Sequence, residues 1–253
     1  MPAGIGIGRI AGLVRDVRAF EGAALRIAIS GPGAEDLATA LAADGDRGAT
    51  SVDGTPATAA LALRLIDGDP SEDDRAVLRR LGKAGTPVIV VRRGGSGRVP
   101  HVLADDVVDV DLDPLQAITE IATAIARAAG PAGLSLAARL PMLRTPVSRR
   151  LIATTSLANA ALAGLARGAQ PQLPLLALAQ TRMLLLLGVT RGATLPRDPK
   201  GLVRAAAPSL VAALGTGIGA RACVRRLQGG GPIVRAAVAY GGTRALGTLL
   251  LRR

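Results

Sequence analysis

Residues 87–91, which read PVIVV, decide the fold class of this chain. Five residues in a row without a polar side chain predict a strand that is buried on both faces, as the strands of parallel sheets are. Three more short apolar segments, at residues 25–30, 61–66 and 107–110, have the length and composition of strands. We therefore predict four strands in the first part of the chain.

Helical segments alternate with these strands. Residues 34–43 follow the first strand, and Ser71 and Asp74 form a capping-box-like pair at the start of a helix that Gly85 ends. A further helix follows the last strand. Helices placed between strands indicate a parallel sheet that is covered by helices. We therefore predict a three-layer α/β domain of the P-loop or Rossmann type over residues 1–130.

The loop after the first strand resembles a phosphate-binding loop in position, because the strand leads through Gly31 and Gly33 into a helix. A phosphate loop also needs a Lys followed by a Ser or Thr. The corresponding positions, counted from Gly31, hold Asp36, Leu37 and Ala38. Asp36 would repel phosphate and Ala38 cannot bind a metal, so the sequence favours a tight turn over a nucleotide site.

Two other strand ends carry charged residues. Asp67 is placed like a magnesium-binding aspartate, but without the lysine a turn-making and capping role is favoured. Arg92 and Arg93 either bind an anion or belong to a solvated loop. Asp67 joins Gly31 and Gly33 in a predicted vestigial nucleotide site, for which we expect no bound cofactor, no metal and no catalytic residue.

Charge divides the chain into two halves. Residues 1–130 carry 14 Lys and Arg against 18 Asp and Glu, a net charge of −4, whereas residues 131–253 carry 17 against one, a net charge of +16. Two halves of opposite charge predict two domains with different partners. A surface so basic binds anions, such as lipid headgroups, nucleic acid or an acidic protein.

Some functional classes are disfavoured by composition. Phe20 and Tyr240 are the only aromatic residues, so the chain lacks the rings on which single-stranded nucleic acids usually stack. Cys223 and His101 are the only residues of their types, and a Cys/His zinc site cannot form within one chain. The single cysteine favours a reduced, intracellular setting.

No segment has the features of a secretory signal or of a membrane span. The longest charge-free stretches of the basic half, residues 151–166 and 205–220, have about 16 residues, and a spanning helix needs roughly 20. The apolar segment 173–189 has Arg182 in its middle, where a charge is costly. We therefore expect a cytoplasmic protein that is at most peripheral at the inner membrane.

The basic half is predicted to be an all-α domain over residues 131–253. Proline and glycine clusters separate five helical segments, at residues 147–167, 173–189, 199–214, 216–228 and 232–252. A few polar residues interrupt their apolar faces: Asn159, Gln180, Arg182, Thr243 and Arg244. These residues form either a buried hydrogen-bond network that sets helix register or a site for a lipid or a protein partner.

Two surface features of this half are predicted from spacing. Arg221 and Arg225 lie one turn apart with Arg226 beside them, which makes them the best candidates for an exposed anion-binding patch. Gly215 and Gly219 have the spacing that lets helices approach closely. Such a glycine pair indicates tight packing within the domain, or a helix face through which two copies associate.

Three stretches of the basic half carry a family resemblance. Residues 155–160 (TSLANA), 178–183 (LAQTRM) and 238–247 (VAYGGTRALG) resemble the helical domain of unknown function that accompanies Era-like GTPases in bacteria. The matching positions are the polar ones: Asn159, Gln180, Arg182, Thr243 and Arg244. Ala158 departs from the Gln that the family pattern has before the Asn. The resemblance covers most of the chain.

The resemblance has functional implications. Actinobacterial versions carry an N-terminal domain similar to a GTPase whose nucleotide motifs have decayed, and relatives are often membrane-associated. An Asn-Lys-x-Asp loop would read guanine after residues 87–91, but this chain has Arg92 and Arg93 followed by two glycines. We predict a non-catalytic adaptor or scaffold whose basic domain binds an anionic membrane surface or a protein partner. The alternatives are an active GTPase switch with an atypical phosphate loop, and binding of duplex nucleic acid.

Overall fold

The chain folds into two units. The computed structural model describes residues 7–21, 24–52, 59–111, 115–165, 172–194 and 231–251, together with residues 196, 201, 211 and 215. Ala23–Val147 forms one unit, which we call the sheet unit. Met1–Gly22 and Ser148–Arg253 form the other, which we call the helical unit. The boundary thus lies after Val147, whereas the sequence places it at residue 130.

The sheet unit is built on five parallel strands. They are β1 (Arg26–Ser30), β2 (Thr50–Val52), β3 (Ala59–Asp67), β4 (Val88–Arg93) and β5 (Val107–Val110). Their order in the sheet is β2-β1-β3-β4-β5, and all neighbours are parallel. The predicted α/β fold with a parallel sheet is confirmed. Strand β2 is not predicted from the sequence, because this three-residue edge strand is only half-buried and has two hydroxyl residues.

Eight helices are described. They are α1 (Ile7–Arg18), α2 (Ala34–Leu41), α3 (Glu72–Ala84), α4 (Ile118–Ala128), α5 (Ala132–Arg139), α6 (Arg144–Leu165), α7 (Gln172–Thr190) and α8 (Pro232–Leu251). Of the five helices predicted in the basic half, three correspond to α6, α7 and α8. The other two, at residues 199–214 and 216–228, lie almost entirely outside the described residues.

Both faces of the sheet are covered. Consecutive residues such as Leu61, Ala62 and Leu63 of β3 are all buried, and so are neighbouring residues of β4. Since successive side chains of a strand point to opposite faces, burial of both requires helices on both sides. Helix α2 connects β1 to β2 toward one edge of the sheet, and α3 connects β3 to β4 toward the other edge. Because such crossovers are right-handed, the two helices lie on opposite faces of the sheet.

Helix α5 belongs to the sheet unit through its last residue. The Arg139 guanidinium donates to a carboxylate oxygen of Asp46 at 2.9 Å and to the carbonyl oxygen of Leu25 at 2.5 Å. The hydrogen bond from Arg139 holds the pKa of the exposed Asp46 carboxyl below its ordinary value. These bonds tie α5 to the residues that precede β1 and β2, which explains why the unit extends beyond residue 130.

The start of α3 is fastened to the middle of the sheet. Ser71 and Asp74 form a reciprocal capping box, as predicted, and Asp74 also accepts two hydrogen bonds from Arg64 of β3, at 2.9 and 2.7 Å. Burial raises the pKa of the Asp74 carboxyl, but the hydrogen bonds from Ser71 and Arg64 outweigh that effect, so the pKa is lower than its ordinary value. The ionised carboxylate therefore stabilises the folded sheet unit.

We predict that Asp74→Asn lowers the free energy of unfolding by about 2 kcal/mol at neutral pH, because a buried charge-assisted network loses its negative charge and one of its two acceptor oxygens. A lowered pKa stabilises the fold above the ordinary carboxyl pKa of about 4, and this stabilisation is lost as the pH falls through the folded-state pKa. The difference from wild type should therefore shrink in acid. Urea unfolding followed by circular dichroism, at neutral pH and near pH 3, measures both values.

Asp73→Asn is the matched control. Asp73 lies in the same first turn of α3 but is exposed. Its loss should cost only about 0.5 kcal/mol through the helix dipole. Equal losses for the two variants, or an Asp74→Asn difference that persists in acid, would contradict the role assigned to Asp74.

In the helical unit, α7 is the central helix. Met183, Leu184 and Leu187 of α7 pack with Ile152 of α6 and Leu246 of α8 in one buried cluster. Helix α1 packs against α7 as well, which joins the first residues of the chain to the C-terminal helices. Among the described residues, no helix combines the length and the apolar character that crossing a bilayer requires.

Candidate functional site

The first candidate site is the carboxyl edge of the sheet. Strand β1 continues to β2 on one side, whereas β3 lies on its other side, so the strand order reverses between β1 and β3. Ligands of open α/β sheets bind outside the carboxyl ends of the strands at such a point. The structure brings Gly31, Gly33 and Asp67, the residues of the predicted vestigial nucleotide site, to this edge.

The loop after β1 lies directly against β3. Gly31 has a φ of +107°, and a Cβ at this position would lie 2.2 Å from the carbonyl oxygen of Leu65. Only glycine is compatible with so close an approach. Gly33, with a φ of +78°, is the N-cap of α2 and provides no side-chain cap. Glu35 and Asp36 follow in the first turn of α2, so acidic groups occupy the position where a phosphate loop presents a cation.

The two arginines at the end of β4 are both paired with carboxylates. Arg93 donates to Asp67 at 2.5 Å across the β3–β4 pair. Arg92, whose side chain is only 8% exposed, donates to Asp109 of β5 at 2.6 Å and also to the carbonyl oxygen of Gly97. The hydrogen bond that Arg92 donates to the Asp109 carboxylate raises the pKa of Arg92. Arg92 therefore forms a buried ion pair and is not part of a solvated loop, whereas the exposed Arg93 forms its ion pair at the surface.

The loops after β3 and β4 close over this edge. A Cβ on Gly95 would lie 2.7 Å from the backbone of Gly68, and the backbone N–H of Gly97 donates to Asp69 at 2.9 Å. The N–H of Gly68 donates in turn to the carbonyl oxygen of Arg93 at 2.8 Å. The edge is thus a set of hydrogen-bonded turns with an excess of acidic groups, which is unfavourable for phosphate.

The second candidate site is a polar network in the core of the helical unit. The hydroxyl of Thr243 in α8 accepts one hydrogen bond from the Asn159 side chain of α6 and another from the Gln180 side chain of α7, each at 3.0 Å. All three residues are buried. The carbonyl oxygen of Asn159 and the hydroxyl of Ser156, one turn earlier, have no hydrogen-bond partner among the described residues. One hydroxyl therefore links three helices.

Arg182 and Arg244, predicted to belong to the same buried set, are exposed instead. Arg244 donates to the Tyr240 hydroxyl at 2.6 Å and lies 5.8 Å from the centre of its ring. The reason is electrostatic: burying a guanidinium without a carboxylate partner is costly, and α6, α7 and α8 contain no Asp or Glu. The neutral amides and hydroxyls enter the core, and the arginines point to the surface.

Polar core residues outside the predicted set extend this pattern. The Ser148 hydroxyl of α6 lies 3.3 Å from the Thr190 hydroxyl of α7, and both residues are buried. Ser156 follows Ser148 by two helical turns and Asn159 follows Ser156 by one, so the three residues lie on one face of α6. That spacing is a sequence signal that could have identified these residues, but the apolar residues on the opposite face of α6 obscure it.

We predict that Thr243→Val lowers the free energy of unfolding of the helical unit by about 2–4 kcal/mol, because two buried amide groups lose their acceptor without a change in side-chain shape. Thr248→Val is the control, since the exposed Thr248 hydroxyl bonds only to the backbone of its own helix. Its cost should stay within about 0.5 kcal/mol. Urea denaturation of the full chain provides the comparison, and equal losses would refute the linking role of Thr243.

Several predicted residues lie where the structure does not describe them. Arg221, Arg225 and Arg226 of the predicted anion patch are outside the described residues, and so is Gly219. Gly215 is exposed, and no described residue lies within 4 Å of the position of a Cβ. Within the described part of the chain, no three His, Cys, Asp or Glu side chains form a group that could hold a metal ion.

Comparison with known proteins does not assign the chain to a family. No protein-family model, no curated protein and no solved structure matches the chain. Functional inference therefore depends on the two sites described above and on the distribution of charge between the two units.

Proposed function

We propose that the protein is a non-catalytic adaptor: a sheet unit of the P-loop or Rossmann type, similar to a GTPase that has lost its nucleotide site, joined to a basic helical unit that binds an anionic membrane surface. The helical unit is the binding part in this proposal, and the sheet unit serves as a scaffold. The resemblance to the helical domain that accompanies Era-like GTPases in bacteria is consistent with both roles.

Ion pairing at the sheet edge supports the non-catalytic assignment. Nucleotide-binding α/β domains hold phosphates with backbone N–H groups and a free cation. Here Arg92 and Arg93 are already held by Asp109 and Asp67. Asp36 lies in the first turn of α2, where a phosphate would have to approach. Binding a nucleotide would require breaking these pairs and placing polyanionic phosphate beside carboxylates.

We therefore predict that isothermal titration of the full chain with GTP or ATP and Mg²⁺ gives no saturable heat at micromolar concentrations. Asp36→Lys, which introduces a cation in the first turn of α2, tests whether electrostatics is the obstacle. Micromolar binding by the wild-type chain would contradict the non-catalytic assignment. If Asp67→Ala then abolished nucleotide turnover, the chain would be an active switch with an atypical phosphate loop.

The main support for membrane binding is the positive net charge of the helical unit. Residues 1–22 and 148–253 contain 18 Lys and Arg against three Asp and Glu, a net charge of +15, whereas residues 23–147 have a net charge of −3. In the sheet unit, arginines such as Arg64, Arg92 and Arg139 are held by carboxylates. The helices α6, α7 and α8 contain no acidic residue, so most of their charge is available to an anionic surface.

The test is flotation of the full chain with lipid vesicles. We expect binding to vesicles that contain phosphatidylglycerol, weaker binding as salt screens the surface charge, and little binding to phosphatidylcholine alone. Absence of binding to anionic vesicles at low salt would overturn the membrane assignment and direct the search to an acidic protein partner.

Two triple variants with the same change of charge locate the binding unit. Arg221, Arg225 and Arg226 changed to Gln should weaken vesicle binding by roughly 100-fold, at about 1 kcal/mol for each cation near the bilayer. Arg79, Arg80 and Lys83, which are exposed on α3 of the sheet unit, are the control and should have little effect when changed to Gln. Equal losses would show that net charge alone drives binding.

A further inference from the structure

The helical unit combines two features: polar side chains lie in its core beside the apolar ones, and several large apolar side chains lie on its surface. Seven of its polar residues are buried: Ser148, Ser156, Asn159, Gln180, Thr181, Thr190 and Thr243. Large apolar residues on the same three helices are exposed: Leu157, Leu162 and Leu165 of α6, Leu175 of α7, and Ile233 and Leu249 of α8. Helix α6 shows both features at once, with Asn159 fully buried and Leu165 83% exposed.

Both features are unfavourable in water. Soluble helices turn their leucines toward the core and their polar residues toward solvent. Helices in contact with hydrocarbon do the opposite, because hydroxyl and amide groups then hydrogen-bond between helices while the leucines face lipid. The pattern in α6, α7 and α8 therefore indicates that part of this surface has an apolar environment in the functional state.

Four of the exposed apolar residues lie at one end of the three helices. The 3.3 Å contact between Ser148 and Thr190 shows that α7 runs antiparallel to α6, which places the start of α7 beside the end of α6. A Cβ on Gly164 would lie 3.5 Å from the carbonyl oxygen of Pro232, which places the start of α8 there as well. We call this the apolar end, and it is formed by Leu162, Leu165, Leu175 and Ile233.

A cation lies at the same end of the three helices, on a different side of α8 from Ile233. Arg235 is half-buried in the first turns of α8, two residues after Ile233, and its Nε–H is buried without a hydrogen-bond partner among the described residues. A helix end that has both exposed apolar side chains and an arginine matches an anionic bilayer, in which acyl chains lie below phosphate headgroups. A second copy of the chain is a poorer match, since two units that each carry +15 repel one another.

We propose that the apolar end enters the acyl-chain boundary of the bilayer when the helical unit binds an anionic membrane, with Arg235 at the level of the lipid phosphates. This inference rests on the proposed membrane function and adds the element that inserts and its orientation. The opposite end of α8, which carries Leu249, stays outside the bilayer.

The absence of tryptophan from the chain makes the test direct. Leu165→Trp and Ile233→Trp each place a single fluorescent reporter at the apolar end, and both sites are 83% exposed, so the larger ring is tolerated. Leu249→Trp, at a site that is 63% exposed, is the matched control at the other end of α8. Emission is recorded with vesicles of phosphatidylcholine and phosphatidylglycerol, with and without brominated acyl chains, and flotation of each variant is measured in parallel.

If the apolar end inserts, the tryptophan emission of Leu165→Trp and of Ile233→Trp should shift to shorter wavelength with vesicles and be quenched by brominated lipid. The emission of Leu249→Trp should show neither effect. A double variant, Leu165→Ser with Ile233→Ser, should bind vesicles roughly tenfold or more weakly than wild type, because large apolar side chains no longer leave water. The single variant Leu249→Ser should bind as wild type does.

The outcomes separate the two proposals. Flotation of all variants without a blue shift at positions 165 and 233 would overturn insertion of the apolar end and leave electrostatic membrane binding intact. Absence of flotation for the wild-type chain would overturn the proposed function and this inference with it. A blue shift that appears without vesicles and rises with protein concentration, together with a dimer in light scattering, would show that a second copy covers the apolar end.

Discussion

The cost of burying a charge without a counterion governs both units of this protein. In the sheet unit Arg64, Arg92 and Arg139 each have a carboxylate within hydrogen-bonding distance, as in the Arg64–Asp74 and Arg92–Asp109 pairs. These pairs join β3 to α3 and β4 to β5. Removing one partner from such a pair would leave the other charge uncompensated in a poorly solvated position. Charge pairing therefore holds helices and strands in their places. It also leaves Arg92 and Arg93 bound to carboxylates, so they are not free to bind a phosphate ligand.

The same cost of burying an unpaired charge applies to the helical unit, which has only three Asp and Glu residues to pair with its arginines. Its core hydrogen bonds are made by neutral groups, with Thr243 accepting from Asn159 and from Gln180. Arg182 and Arg244 remain at the surface. The basic surface is thus a physical consequence of a core without carboxylates, and the membrane proposal follows from that surface together with the leucines exposed beside it.

Prediction from sequence succeeds where one segment contains its own signal. The apolar run at residues 87–91 is enough to identify β4, and the Ser71–Asp74 pair is enough to identify the start of α3. It fails where the decisive partner is distant in sequence. Nothing local to Arg92 shows that it is buried, because its partner Asp109 is 17 residues away on another strand. The edge strand β2 is too short and too polar to have a pattern at all.

The sequence by itself determined the parallel α/β architecture, the missing phosphate-loop lysine and the concentration of positive charge, because each is a property of composition or of short periodic segments. Only the tertiary structure decided that the first helix belongs with the last ones and that Arg92 and Arg93 are paired. It also decided that four leucine and isoleucine side chains gather at one end of three helices. These features depend on residues far apart in the chain, and only folding brings them within reach of one another.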